Sequence, residues 1–260
     1  MSDDMPDVPD ELKPDLEWKL RAIAIPAALV VAFLFNISPV GHLLQRTFLS
    51  MIPHELGHAI TAWFCGFAAL PTLWKTMIPE SRGFVMPAVI VAASAFVAWR
   101  GWTTDRMWLV AIGLAMGVAL FVGCTCEMDT AMTAFTFGGD AGAMIIGTAL
   151  MLAFFAPEGS KVRLGMLRWG FLVIGAAAYV DVGMVWWRAR TDESAIPFGV
   201  IEGVGLSDPA KLLETGWEPS VITHRYMLVA GACMAVLVAV WAWQTWSMRE
   251  RASDKPRIVT

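Results

Sequence analysis

The chain has 260 residues, of which 57% are hydrophobic and only 16% are charged, with a formal net charge of −4. This composition excludes a disordered chain, which is poor in apolar residues, and an ordinary soluble domain, in which about a quarter of the residues are charged. Nucleic-acid binding is not expected, because the 19 Lys and Arg residues do not outnumber the 23 Asp and Glu residues and form no basic stripe.

Apolar runs dominate the chain after a polar, acidic and proline-rich N-terminal tail at residues 1–20. Most of them approach the roughly 20 residues that an α-helix needs to cross a ~30 Å hydrocarbon layer. We therefore predict an all-α, polytopic membrane helix bundle with six or seven transmembrane helices, in a single membrane domain (21–248) followed by a C-terminal tail (249–260). The runs span about 22–35, 43–70, 84–99, 107–123, 142–157, 167–187 and 226–246.

One segment inside the membrane domain, residues 188–225, is too polar to lie in lipid. It contains Ser207, Asp208 and Pro209, with Gly216 a few residues later. A capping residue, a proline in the first turn and a glycine after the end are typical of a short helix. We expect this helix at the membrane surface.

The numbers of basic residues on the two sides of the membrane hardly determine the orientation of the chain. For seven spans, Lys and Arg are divided almost equally between the two sides. The loop at 125–140 has no basic residue, whereas the loops before and after it do, which favours a cytoplasmic C-terminus by the positive-inside rule.

The second apolar run contains the pattern H-E-x-x-H, formed by His54, Glu55 and His58. On a helix, residues four apart lie on one face, so the two imidazoles can bind one Zn²⁺. Glu55 lies beside that face, where it can act as a general base towards a metal-activated water. Three ionisable groups in an apolar run are costly unless they are paired or bind a metal, and zinc binding explains their presence.

An open zinc site requires a third protein ligand. Asp181 is predicted to be that ligand, because it lies well inside an apolar run without a basic residue in the same helix before Arg188, and because its depth matches that of the histidines. Asp140 is the reserve candidate, with a helix N-cap as its alternative role. The remaining candidates are His224, Asp208, Glu127 and Asp129.

The segment from Pro53 to Gly66, with His54-Glu55-Leu56-Gly57-His58-Ala59 at its centre, resembles the site-2 protease family of intramembrane zinc metalloproteases. A weaker resemblance to small bacterial members covers more of the chain, through the segments 138–142 and 207–209 and through Asp181. The resemblance implies a zinc enzyme of the bacterial cytoplasmic membrane that cleaves a membrane-embedded or membrane-adjacent substrate. The Asn-Pro…Asp-Gly element, which supplies the third ligand in many members, is absent.

Three hypotheses follow. In the first, the chain is an intramembrane zinc metalloprotease with His54, His58 and Asp181 as ligands and Glu55 as the catalytic base. In the second, it is a non-proteolytic, metal-binding relative that serves as an accessory or structural subunit of a membrane complex. In the third, it is a small transporter that uses Glu55 and Asp181 as proton or cation sites, although no inverted repeat is visible.

Overall fold

The computed structural model describes residues 14–157, 159–163, 166–201 and 205–253. They form nine α-helices, one π-helical turn, three short 3₁₀ turns and two hairpins of two-residue strands. The α-helices are α1 (Pro14–Asn36), α2 (Pro39–Gln45), α3 (Met51–Phe64), α4 (Val85–Thr103), α5 (Met107–Thr125), α6 (Met128–Leu152), α7 (Leu167–Ala189), α8 (Asp208–Glu214) and α9 (Pro219–Ser253). The strands are β1 (Leu70–Pro71), β2 (Thr76–Met77), β3 (Val200–Ile201) and β4 (Gly205–Leu206), paired antiparallel as β1–β2 and β3–β4.

Six of the described helices, α1, α4, α5, α6, α7 and α9, are long and apolar enough to cross a membrane. This confirms an all-α bundle of a membrane protein. The second apolar run is not a seventh long α-helix, because it is divided into α2, a π-helical turn (Arg46–Ser50) and α3, which ends at Phe64. The wide turn changes the direction in which side chains project, and such π segments are common at functional sites.

Three predicted boundaries differ from the structure. Helix α1 begins at Pro14, inside the predicted tail, because Glu17 is buried against three arginines at the start of the bundle. Helix α6 begins at Met128, far ahead of the apolar run predicted to start at 142, so Asp140 lies in mid-helix and is not an N-cap. The described part of the C-terminal segment continues α9 to Ser253.

Helix α3 packs antiparallel to α6 along a seam of glycines. A Cβ atom built on Gly142 would lie 2.3 Å from the Cα of Gly57, and one on Gly57 would lie 2.4 Å from the carbonyl oxygen of Gly138. Any side chain larger than hydrogen would therefore push the helices apart. Small residues are what permits such close helix contacts in membrane proteins, and here they bring the face that carries the two histidines against α6.

The bundle has two distinct ends. At one end, which we call the cavity end, Arg82 donates to the carbonyl oxygens of Cys65 (3.0 Å) and Cys126 (2.7 Å). These contacts join the end of α3, the connection to α4 and the connection between α5 and α6. At the opposite, basal end, Glu17 of α1 accepts from Arg168 of α7 (3.2 Å), and Trp241 of α9 donates to the carbonyl oxygen of Ala22 (3.1 Å).

Candidate metal site

Helix α3 presents His54 and His58 one turn apart, and both are buried. Their Nε2 atoms are 3.2 Å apart, and the ring planes are perpendicular. The sequence pattern therefore places the two imidazoles as predicted, with the nitrogens converging on one point.

The carboxylate that meets them is Asp208, at the first residue of α8. Its Oδ2 lies 2.9 Å from Nε2 of His58 and 3.3 Å from Nε2 of His54, while Oδ1 accepts from Lys211 at 3.1 Å. Burial raises the pKa of Asp208, but the hydrogen bonds and charges of the two imidazoles outweigh burial and hold this pKa well below its usual value. Asp208 is therefore an ionised carboxylate, as a metal ligand requires.

The other nitrogen of each ring contacts an acceptor. Nδ1 of His58 lies 2.8 Å from the carbonyl oxygen of Phe135, and Nδ1 of His54 lies 2.9 Å from Oδ1 of Asp140. Trp186 donates to the second oxygen of Asp140 at 2.8 Å. Since a carbonyl and a carboxylate only accept, each Nδ1 donates its proton to its partner, and Nε2 is the nitrogen of each ring that faces Asp208. This is how histidine ligands are oriented by an outer set of partners in zinc sites.

Three atoms that can act as metal ligands, two imidazole nitrogens and one carboxylate oxygen, thus face one point inside the protein. Ligand atoms around a tetrahedral ion at about 2.0–2.2 Å are about 3.3–3.6 Å from one another. Both distances that involve Nε2 of His54 are close to that spacing, and the distance between His58 and Asp208 is shorter. Among the described residues, these are the only three His, Cys, Asp or Glu side chains whose ligand atoms cluster within 4.8 Å of one another. The three side chains could hold a metal ion.

Gly139 leaves the space that the imidazole pair occupies. A Cβ atom on this residue would lie 2.4 Å from Nε2 of His58 and 2.7 Å from Cε1 of His54. Gly139, the residue before Asp140, therefore has a steric function, since it lets both rings approach the backbone of α6.

Glu55 lies at the same site but makes different contacts. Its side chain is buried, and Oε2 accepts from Oγ1 of Thr76 at 2.8 Å. Thr76 belongs to β2, so the β1–β2 hairpin fixes the position of this carboxylate. A cavity of about 520 Å³ is lined by Glu55 and the three cluster residues, by the β1–β2 hairpin, and by residues 197–200 and 206–211.

The structure does not bring Asp181, the predicted third ligand, to the imidazoles. Its fully buried carboxylate accepts from Asn36 (3.3 Å) and Arg46 (3.2 Å), and Nε2 of His42 lies 3.2 Å away. The sequence argument considered cations only in the helix that contains Asp181, whereas these partners come from α1, from α2 and from the π-helical turn. Asp208, which was only one candidate among several, is the carboxylate that meets the two imidazoles.

Asp140, the reserve candidate, reaches the cluster without joining it. It contacts Nδ1 of His54, which faces away from the converging nitrogens, and Arg46 lies 3.9 Å from the same oxygen. Asp140 is thus an orienting partner of a ligand. Of the other candidates, His224 is exposed on α9, and Glu127 and Asp129 lie at the start of α6, outside the cluster.

Sequence reasoning missed the two orienting partners Phe135 and Trp186 and the contact of Thr76 with Glu55. A carbonyl oxygen and an indole carry no sequence signal for such a role. For Asp208 a signal existed, because the turn at 207–209 predicted the start of a short helix, and the structure confirms that helix as α8.

Comparisons with protein-family models, with curated proteins and with solved structures found no match to this chain.

Proposed function

We propose that this chain is an intramembrane zinc metalloprotease of the bacterial cytoplasmic membrane, with His54, His58 and Asp208 as zinc ligands and Glu55 as the catalytic base. The observation that carries the proposal is the convergence of two Nε2 atoms and one carboxylate oxygen in a cavity that also contains Glu55. Three protein ligands and an open fourth position are typical of catalytic zinc, whereas structural zinc sites are closed by a fourth protein ligand.

Zinc bound at this site would supply a Lewis acid that polarises a substrate carbonyl and makes a water molecule more acidic. Glu55, which lines the same cavity, would accept a proton from the attacking water molecule and deliver it later to the amine of the leaving peptide. The hydroxyl of Thr76 donates to Oε2 of Glu55 and thereby leaves Oε1 for the proton transfer.

The walls of the cavity suit a peptide better than a small solute. Apolar residues such as Trp74, Ile78 and Phe198 line it beside the polar groups of the cluster. A helical substrate must unwind locally before its carbonyl can be attacked, because that carbonyl is otherwise hydrogen-bonded within the helix. The segment from Pro71 to Gly83 borders the cavity through its hairpin and is the candidate surface for holding an unwound substrate.

The proposal is tested with the purified full-length chain, reconstituted with one equivalent of Zn²⁺ in detergent, on fluorescently labelled casein and on a membrane-anchored model substrate. We expect zinc-dependent cleavage that Glu55→Gln reduces by about 10²–10⁴-fold, the usual contribution of a general acid–base group. Zinc content should stay unchanged in this variant, because Glu55 is not a ligand.

Glu127→Gln is the matched control, since Glu127 is exposed at the start of α6, does not line the cavity and should leave cleavage unchanged. A chain that binds zinc but cleaves neither substrate would favour the accessory-subunit hypothesis. Turnover in Glu55→Gln equal to that of the wild type would remove Glu55 from the mechanism.

A further inference from the structure

The two ends of the bundle differ in basic residues, and this difference can be counted once the spans are known. With six spans, both the start of α1 and the end of α9 lie at the basal end. The turn between α4 and α5 and the connection between α6 and α7 also lie there, because the chain alternates between the two ends. The connections at 65–84 and 190–218 belong to the cavity end.

Of the 16 Lys and Arg residues in the described part of the chain, seven belong to the cavity end and nine to the basal end, and the other three lie in the sequence on either side of the described residues. The seven are Arg46, Lys75, Arg82, Arg188, Arg190, Lys211 and Arg225. The basal residues are Lys19, Arg21, Arg100, Arg106, Lys161, Arg163, Arg168, Arg249 and Arg251, with Lys13, Lys255 and Arg257 in the adjoining sequence.

The positions of these residues strengthen the asymmetry. Each of the four basal segments carries at least two basic residues close to the end of a span, and the turn at 104–106 is short. At the cavity end, Arg46 is paired with Asp181 inside the bundle, and the connection between α5 and α6 has no basic residue. Lys and Arg near span ends and in short loops mark the cytoplasmic side of a membrane protein.

We infer that the basal end faces the cytoplasm and that the metal-site cavity opens on the opposite, extracytoplasmic side of the membrane. The cavity is reached from that side because its walls outside the helices come from the connections at 65–84 and 190–218. The substrate class rests in addition on the proposed protease function. On that basis, the substrates are membrane proteins whose scissile segment lies at the extracytoplasmic boundary of the bilayer.

The orientation is tested with single cysteines on the full chain in intact bacterial cells, using a membrane-impermeant maleimide. Ser81→Cys reports on the cavity end and Thr104→Cys on the basal end, since both residues are exposed in connections. Labelling is measured as the increase over the wild-type chain, whose four cysteines are buried or half-buried.

We expect Ser81→Cys to be labelled in intact cells and Thr104→Cys only after permeabilisation. The reverse pattern, or equal labelling of both in intact cells, or labelling of neither before permeabilisation, overturns the inference. Labelling of either cysteine does not require enzymatic activity. The experiment therefore tests the orientation independently of the proposed function.

The substrate class is tested by placing one flexible, cleavable linker at either boundary of a single-span model protein. Cleavage at the extracytoplasmic boundary, abolished by Glu55→Gln, supports the inference. Cleavage only at the cytoplasmic boundary overturns it and leaves the protease proposal intact.

Discussion

Two carboxylates, the fully buried Asp181 and the half-buried Asp208, have different electrostatic surroundings. Asp181 is surrounded by hydrogen-bond donors, namely the guanidinium of Arg46, the amide of Asn36 and the ring of His42. Oδ2 of Asp208 instead faces the Nε2 atoms of two imidazole rings, whose Nδ1 atoms contact acceptors on the other side. Asp181 is thus paired with the cation Arg46, whereas Asp208 contacts the cation Lys211 only through Oδ1 and directs Oδ2 towards two further side chains that could bind a metal ion.

The comparison shows that burial of a charged residue does not identify a metal ligand. A buried charge is costly unless it is paired, and Arg46 pairs Asp181 from a segment 135 residues away in sequence. What distinguishes a ligand is an environment of further electron-rich atoms, which a proton or a metal ion must neutralise. The predictions below test this distinction.

The largest effect is expected when both imidazoles are removed. His54→Ala combined with His58→Ala should abolish zinc binding in the purified chain, measured by elemental analysis. Because a ligand bound only by the folded state adds about 2.7 kcal/mol at a hundredfold excess over its Kd, zinc should also cease to raise the unfolding temperature. His224→Ala, on an exposed residue of α9, should bind zinc like the wild type. Full zinc content in the double variant would disprove the site.

The two carboxylates are compared directly by amide substitution. Asp208→Asn should weaken zinc binding by more than the ~10–100-fold that is typical of outer partners, because it removes a ligand and its charge. Asp181→Asn should change the zinc Kd by less than about tenfold on the same scale. Competition titration with a chelating dye measures both, and the opposite ranking would restore Asp181 as the third ligand.

Asp181→Asn should instead reduce stability. It removes the negative charge closest to the guanidinium of Arg46 (3.2 Å, against 3.9 Å for Asp140), and a buried group left without its partner costs about 1–3 kcal/mol. Thermal unfolding of the zinc-free chain isolates this effect from the metal. Asp192→Asn is the control, since Asp192 is exposed and contacts only Ser194 among the partners found for it.

A smaller effect on zinc is expected at Asp140, which orients His54 without binding the metal. Asp140→Asn should weaken zinc binding by about 10–100-fold, as outer partners of ligating histidines typically do. Asp129→Asn, on an exposed residue of the same helix, should leave the zinc Kd unchanged. If both variants bind zinc equally well, the orientation of His54 is set without Asp140.

The smallest effect is expected at Trp186, which holds Asp140 through one hydrogen bond. Trp186→Phe removes a contribution of about 1 kcal/mol, so the zinc Kd should rise by about fivefold. Its neighbour Trp187 is exposed, and Trp187→Phe is therefore a matched control. If the zinc Kd rises more in Trp186→Phe than in Asp140→Asn, the indole acts through the packing of the bundle.

The sequence by itself determined the class of the protein and half of its candidate site. The apolar runs gave a membrane helix bundle, because helix length and composition alone decide whether a segment can cross a bilayer. The positions of His54, Glu55 and His58 relative to one another followed from helical periodicity, which is a local property. The short helix α8 was predicted from its capping residues for the same reason.

Only the tertiary structure decided how many spans there are, which carboxylate meets the histidines and which residues orient the rings. The π-helical turn between α2 and α3 and the glycine seam between α3 and α6 position His54 and His58 within the bundle, and hydropathy cannot reveal either feature. Asp208 reaches His58 across 150 residues and Asp181 meets Arg46 across 135. Such pairings depend on how helices pack in space, and a single sequence carries no periodic signal for contacts between distant segments.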